Sequence, residues 1–275
     1  MYSSALISKR GHMIIDFHIH IFPDEIAEKA IKTLSERSGL FPQTNGTAKN
    51  TIEKMNEWGI DKAVCLNIAT KSSQTRKINL FMENNTCSRF IPFGTVYPIA
   101  ENALEEIEHI KSVGIKGIKL HPDYQNFYAD DENVYPIYSL MEELELPLLF
   151  HSGYDIGLGC PIHCTPLMIK KIADYFPKLQ IIAAHFGGYG LWKDALELLY
   201  NNENVYFDTA FPVGLDKKLA EKIICKKGAD HILFASDCPW DSPKRVLQFI
   251  DSLKISDSNK ELIYGKNAQR LLMNL

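Results

Sequence analysis

The chain has 275 residues, of which 45% are hydrophobic and 23% charged, the balance of an ordinary globular protein, so disordered and fibrous classes are excluded. Thirty Lys+Arg against 34 Asp+Glu give a formal charge of -4 and a pI near 6.1, no footprint for nucleic acid or an anionic membrane surface. Six scattered cysteines without a CxxC point to a reducing, cytoplasmic setting rather than a disulfide scaffold. No apolar run approaches the roughly 20 residues that a membrane helix needs. The opening MYSSALISKRGHM lacks a signal-peptide core, and residues 1–12, a leader or the product of an upstream start, are set outside the fold.

Residues 13–18 are an apolar run ending in polar residues, the first expected strand. Pro23-Asp24-Glu25 opens a helix on which Ile26, Ala27, Ala30, Ile31 and Leu34 recur at helical spacing. A Gly/Pro/Asn-rich loop leads to a second helix at 51–58, closed by Gly59. Further strands are expected at 62–68, 89–97, 115–120, 147–150, 179–184, 204–209 and 231–235. Helices are expected at 72–85, 103–113, 134–144, 166–176, 191–200, 216–227, 243–253 and 259–272. The strands are apolar on both faces, as a parallel sheet covered by helices requires. Eight such alternations in about 260 residues match the size of a (β/α)8 barrel. No GxGxxG turn follows the first strand, which speaks against a dinucleotide-binding open sheet. The expected fold is therefore α/β, a single-domain TIM barrel over residues 13–275.

A barrel of this kind works at the C-terminal ends of its strands. Those ends carry Asp16-Phe17-His18-Ile19-His20, Lys119-Leu120-His121, Phe150-His151, Ala184-His185-Phe186-Gly187-Gly188 and Ser236-Asp237-Cys238-Pro239-Trp240. His18 and His20 stand two apart on an extended segment, so both side chains face the same way. Paired inward imidazoles are costly unless they bind something, and Zn²⁺ or a similar ion is the usual partner. His151, His185 and Asp237 at other strand ends turn a weak HxH signal into a strong one.

The motifs MIIDFHIHIFP, GIKGIKLHPDYQ, LPLLFHSG, IIAAHFGG, NVYFDTA and ILFASDCPW together resemble the amidohydrolase superfamily. Within it, they resemble the amidohydrolase-2 group of metal-dependent enzymes that includes aminocarboxymuconate semialdehyde decarboxylase. The resemblance implies one divalent metal at the barrel mouth, Zn²⁺ first and Mn²⁺ or Fe²⁺ as alternatives. It implies His18, His20, His151 and Asp237 as metal ligands, with Asp237 and His185 as catalytic groups. A carboxylate beside a metal-bound water can take its proton, because the ion lowers that water's pKa to about 7. Lys119 is expected to face substrate or a salt-bridge partner; some superfamily members carboxylate a lysine near this position to bridge two metals. His121 and Tyr124 are expected to touch substrate and Trp240 to wall the pocket. Asp208, closing the seventh strand, is a candidate either to orient a ligand imidazole or to shape a turn.

The expected activity is hydrolysis of an amide, lactone or related carbonyl bond of a small molecule by a metal-activated water. The alternative keeps the site and changes the reaction to non-oxidative decarboxylation of an unsaturated or aromatic acid, which favours an arginine clamp near the mouth. Arg37, Arg76 and Arg245 are the arginine candidates. Cys160, His163 and Cys164 form a cluster better explained by loop packing than by a second Zn²⁺. A small-molecule substrate, no nucleic-acid or membrane partner, and a homodimer of the kind formed by related barrels complete the expectation.

Overall fold

A computed structural model describes residues 11–273 of the chain. Eight strands run in chain order: β1 (Ile15–Ile19), β2 (Lys62–Cys65), β3 (Phe90–Pro92), β4 (Ile118–Leu120), β5 (Leu148–Phe150), β6 (Ile181–Ala183), β7 (Val205–Asp208) and β8 (Ile232–Leu233). All paired neighbours are parallel, in runs β1-β2-β3 and β4-β5-β6-β7-β8. The two runs join at both edges. Gly94 N donates to Gly117 O and Lys119 N to Gly94 O, each at 2.8 Å, linking β3 to β4. Phe17 N donates to Phe234 O at 2.8 Å and His20 N to Cys238 O at 2.7 Å, returning the last strand to the first. The result is a TIM barrel, as the alternation of strands and helices predicts. The expected leader lies outside the described residues except for Gly11 and His12; the His12 ring stacks on Tyr264 at 5.5 Å.

Side-chain alternation along the strands sorts the core into two layers. Ile118, Leu120, Leu148, Phe150, Ile181, Ala183 and Phe207 face outward and pack under the helices. Leu149, Ile182, Ala184, Tyr206, Leu233 and Ala235 form the separate interior cluster. Lys119, His151 and Asp208 share the interior parity, so the pleat itself aims them into the barrel. The third strand is shorter than residues 89–97 suggest. Beyond Gly94 the ladder gives way to the Asn79 side chain: its Oδ1 accepts from Thr95 N at 2.9 Å and its Nδ2 donates to Thr95 O at 3.0 Å.

Two helices fill the β1–β2 connection. Helix α1 (Asp24–Ser38) starts after Pro23 and ends at Gly39, in the left-handed region at φ 72°. Helix α2 (Ala48–Trp58) begins three residues before the apolar periodicity does, because the Thr47 hydroxyl caps it by accepting from Asn50 N. Helix α3 (Thr75–Asn84) follows β2. The last expected helix is broken into Asp257–Glu261, a π turn at Leu262–Lys266, and Asn267–Met273. The reason lies at Gly265: a Cβ there would meet Met13 O at 2.2 Å, so the turn presses its backbone on the entry to β1. Ile263 O accepts from Phe234 N at 2.9 Å, so a helix carbonyl continues the β8 ladder.

Lys227 locks the rear of the barrel by donating to Leu199 O at 3.1 Å and Asn202 O at 2.7 Å. Burial pushes its ammonium down to about 8. Between there and an unfolded-state value of about 10.4, the unfolded chain holds a proton that the folded chain has released. Stability from this group therefore rises with pH across that window. Denaturant titrations of wild type and Lys227→Met are expected to diverge in favour of wild type as pH climbs through it. A constant difference between the two would show that Lys227 keeps its proton.

Candidate active site

At the end of β1, two imidazoles and the carboxylate beyond β8 converge. His18 is buried, and its Nδ1 lies 2.8 Å from Asp208 Oδ2. His20 Nδ1 lies 2.6 Å from Leu66 O, which can only accept, so that nitrogen carries the proton. Burial, reinforced by Lys119 and the neighbouring imidazoles, holds His18 well below the usual histidine range, so it is neutral. His18 Nε2 is 3.4 Å and His20 Nε2 3.1 Å from the same Asp237 Oδ1. With Nδ1 of each ring directed at an acceptor, His18 Nε2, His20 Nε2 and Asp237 Oδ1 face one another as three electron-rich atoms in conflict. A cation among them resolves the conflict, and a backbone carbonyl or carboxylate on the far imidazole nitrogen is the usual support for a metal-binding histidine. The ligand atoms of His18, His20 and Asp237 all lie within 4.8 Å of one another.

His151 stands one ring further away. Its Nδ1 is 3.1 Å from His185 Nε2, and His185 Nδ1 is 3.1 Å from Ala210 O. Ala210 O must accept, so His185 Nδ1 carries a proton, and His151 Nε2 is a buried nitrogen with no hydrogen-bond partner among the described residues. The sequence reading grouped His151 with His18 and His20; in the fold it stacks on His121 at 4.0 Å and forms a second ligand group with His121 and Asp155. His121 Nε2 is 3.3 Å from Asp155 Oδ2. Burial pushes both His121 and His151 well below the usual range. Lys119 rises from the barrel floor, 1% exposed, and burial pushes it down to about 8 against the pull of Asp208 and Asp237. Its Nζ has no hydrogen-bond partner among the described residues.

The backbone is bent hard to present these groups. His185, Phe186 and Asp237 sit in the left-handed region at φ 61°, 56° and 70°. Such positions cost on the order of 1–3 kcal/mol each and persist only where the surroundings hold them. Asp208 holds the first two: its Oδ1 accepts from His185 N at 2.8 Å and from Ala210 N at 3.0 Å, and Phe186 N donates to Asp208 O at 2.7 Å, while Asp237 N donates to His18 O at 2.8 Å. Asp208 thus performs both roles weighed for it, orienting an imidazole and shaping the turn. At Gly187 (φ 86°) a Cβ would meet Ala195 and Phe207 side chains at 2.8 Å, so this glycine serves helix packing rather than approach to a substrate.

Two groups stayed out of the sequence reading. Asp155 lies in a loop with no strand-end signal, and only its position four residues after His151 hints at it. Asp16 begins the Asp-x-His-x-His alternation and ties β1 to β8 by accepting from Ser236 N at 2.9 Å and Ser236 Oγ at 2.5 Å. Burial raises its carboxyl to about 7. Of the arginine candidates, Arg76 pairs with Glu106 at 3.0 Å, Arg245 is engaged by Asp241, and Arg37 lies over Tyr124 at 5.7 Å. The Cys160-His163-Cys164 group does not assemble: His163 Nδ1 pairs with Asp123 at 3.0 Å, Cys164 is buried and Cys160 exposed.

One cavity of about 560 Å³ is lined by His18, His20, Lys119, His121, Tyr124, His151, His185, Asp237 and Trp240. The fold and this mouthful of imidazoles define a (β/α)8 barrel with a candidate divalent-metal centre at its C-terminal face. The model of the Amidohydrolase family matches residues 15–273, and the chain belongs to that family. It is 24% identical over 255 residues to the γ-resorcylate decarboxylase of Polaromonas sp. (strain JS666 / ATCC BAA-500), covering 74% of this chain and 77% of that protein. It is also 24% identical over 242 residues to a 2-keto-4-carboxy-3-hexenedioate hydratase of Sphingobium sp. (strain NBRC 103272 / SYK-6), covering 73% and 69%. A dihydroxybenzoic acid decarboxylase of Polaromonas sp. JS666, solved with manganese and 2-nitroresorcinol, superposes with a TM-score of 0.72 at 19% identity, covering 95% of this chain and 97% of that one. The relatives are mainly decarboxylases, which overturns the expectation of hydrolysis. The physical reason is that the strand-end motifs specify a donor set, and the same donor set serves water attack or carbon protonation. No helix among the described residues is long and apolar enough to cross a membrane.

Removing the Asp208 carboxylate strips His18 Nδ1 of its acceptor and frees two amides. Asp208→Ala is expected to lose about 2–4 kcal/mol of stability in denaturant titrations of metal-free protein. Its retention of manganese in a chelator competition is expected to weaken about 10- to 100-fold. Unchanged retention would show that His18 is oriented without Asp208.

Proposed function

We propose that the protein is a non-oxidative decarboxylase of an aromatic or unsaturated carboxylic acid, working with one divalent metal ion. The observation that carries the reading is Lys119: a buried ammonium without a hydrogen-bond partner among the described residues, at the floor of a cavity rimmed by imidazoles. A substrate carboxylate is the group that such a cation lacks. The γ-resorcylate decarboxylases among the relatives support the same chemistry. His18, His20 and Asp237 would hold the ion, with His151 Nε2 as the further acceptor; manganese, present in the solved relative, is the first candidate. When bound, the ion supplies Lewis-acid polarisation of a substrate oxygen.

The chain's own residues do the rest. Lys119 anchors the carboxylate, and His121, Tyr124 and Trp240 flank the substrate. A proton goes to the carbon that bears the carboxylate, the C–C bond breaks with its electron pair returning to the substrate framework, and CO2 leaves. His185 is the proton carrier of this reading: its Nδ1 donates to Ala210 O, and Nε2 takes up a proton from solvent and passes it to the substrate carbon. Asp237, also on the cavity wall, is the second group able to carry a proton to the substrate.

The test is CO2 release from a panel of hydroxybenzoates by manganese-loaded protein, run in D2O. One deuterium is expected at the vacated carbon. His185→Gln is expected to lower kcat by about 10²- to 10⁴-fold, and Lys119→Met to lower kcat/KM by about 10- to 100-fold. No CO2 from any aromatic or unsaturated acid offered would overturn the reading.

A further inference from the structure

The cavity does not end at the metal-site residues. Its lining extends to Ile26, Ala30 and Leu34 on α1, to Ile78 and Phe81 on α3, and to Ile68 in the loop after β2. Ile26, Ala30 and Leu34 recur every four residues and so form a single line along α1, about 12 Å from first to last. These side chains belong to the stripe whose periodicity predicts the helix, but they do not close on another helix. Ala27 and Ile31 are buried in the core; Ile26 is 50% exposed and Leu34 half-buried over the slot. Gln74 and Lys77 supply the polar edge on the α3 side.

We propose that this slot is a binding site for an apolar arm of the substrate: an alkyl chain or second ring carried by the acid whose head sits on Lys119. Continuity commits the slot to that occupant. The same cavity is lined at its inner end by buried His18, His151 and His185, so a molecule held there extends directly between the two helices. A volume of about 560 Å³ falls within the range of about 300–1,000 Å³ that suits drug-sized ligands, generous for one substituted benzene ring. The six side chains on its walls offer no hydrogen-bonding group, so small polar substituents gain nothing by entering and apolar ones gain their full transfer free energy. Only the identity of the acid head rests on the decarboxylase reading.

The test is calorimetric affinity for 2-hydroxybenzoate and its alkylated derivatives of increasing chain length, on manganese-loaded protein. Kd is expected to fall about three- to fourfold per methylene until the slot is full. Ala30→Trp and, separately, Ile78→Trp occupy the slot and are expected to bring the ratio of long-chain to unsubstituted affinity close to one. Circular dichroism establishes that each variant is folded. A Kd independent of chain length in wild type would overturn the proposal. So would a dimer in solution that Ile26→Asp dissociates, since a second copy would then cover the slot. CO2 release followed on the same acids separates the two ideas: a chain-length effect without turnover retains the slot and sinks the decarboxylase reading, and turnover with flat affinities does the reverse.

Discussion

The buried carboxylate of Asp208 is the interaction on which the rest of the site depends. One oxygen orients His18 across the barrel, and the other receives the amides of His185 and Ala210. It therefore couples the first, sixth and seventh strands at the depth where the imidazoles meet. Burial pushes this carboxyl up from its ordinary value, opposed by His185, backbone donors and Lys119. A polar group so deep is tolerated because each oxygen has partners, and the same network keeps His185 and Phe186 in backbone conformations that they would otherwise leave.

Charge at the barrel mouth is arranged by subtraction. Burial keeps His18, His121 and His151 neutral, leaving imidazole nitrogens beside two carboxylates, Asp237 for His18 and Asp155 for His121 and His151, and one ammonium on the floor. Acceptors crowded together favour a cation, and the unpartnered ammonium favours an anion a few ångströms away. A site that presents both needs at once suits a ligand whose carboxylate or phenolic oxygen sits between ion and lysine. The slot between α1 and α3 then extends this polar floor into a largely apolar surface edged by Gln74 and Lys77, separating recognition of the head from recognition of the arm.

The core histidines and Asp237 were legible because strand ends in a parallel barrel are marked by apolar runs that stop at polar residues. His18 and His20 are consecutive same-side positions of one strand, so their pairing follows from the pleat. Helix starts were less legible: α2 begins at Thr47's cap rather than at its first apolar residue, and the last helix breaks where Gly265 touches Met13. Asp155 was invisible because a loop has no period. The reaction class was misread because donor type and order do not distinguish the bond that breaks.

What the sequence determined by itself is the alternation of eight strands and helices, the strand ends that carry chemistry, and the residue types converging there. Those are properties of local periodicity and of covalent neighbours. The tertiary structure alone decided that His151 stacks on His121 beside Asp155, that Lys119 Nζ has no hydrogen-bond partner among the described residues, that Asp208 serves two imidazole-bearing segments, and that the α1 stripe opens into the cavity. Each depends on distances between segments far apart in the chain, set by barrel closure and by how the loops pack over it, and spacing along one strand or helix carries no information about them.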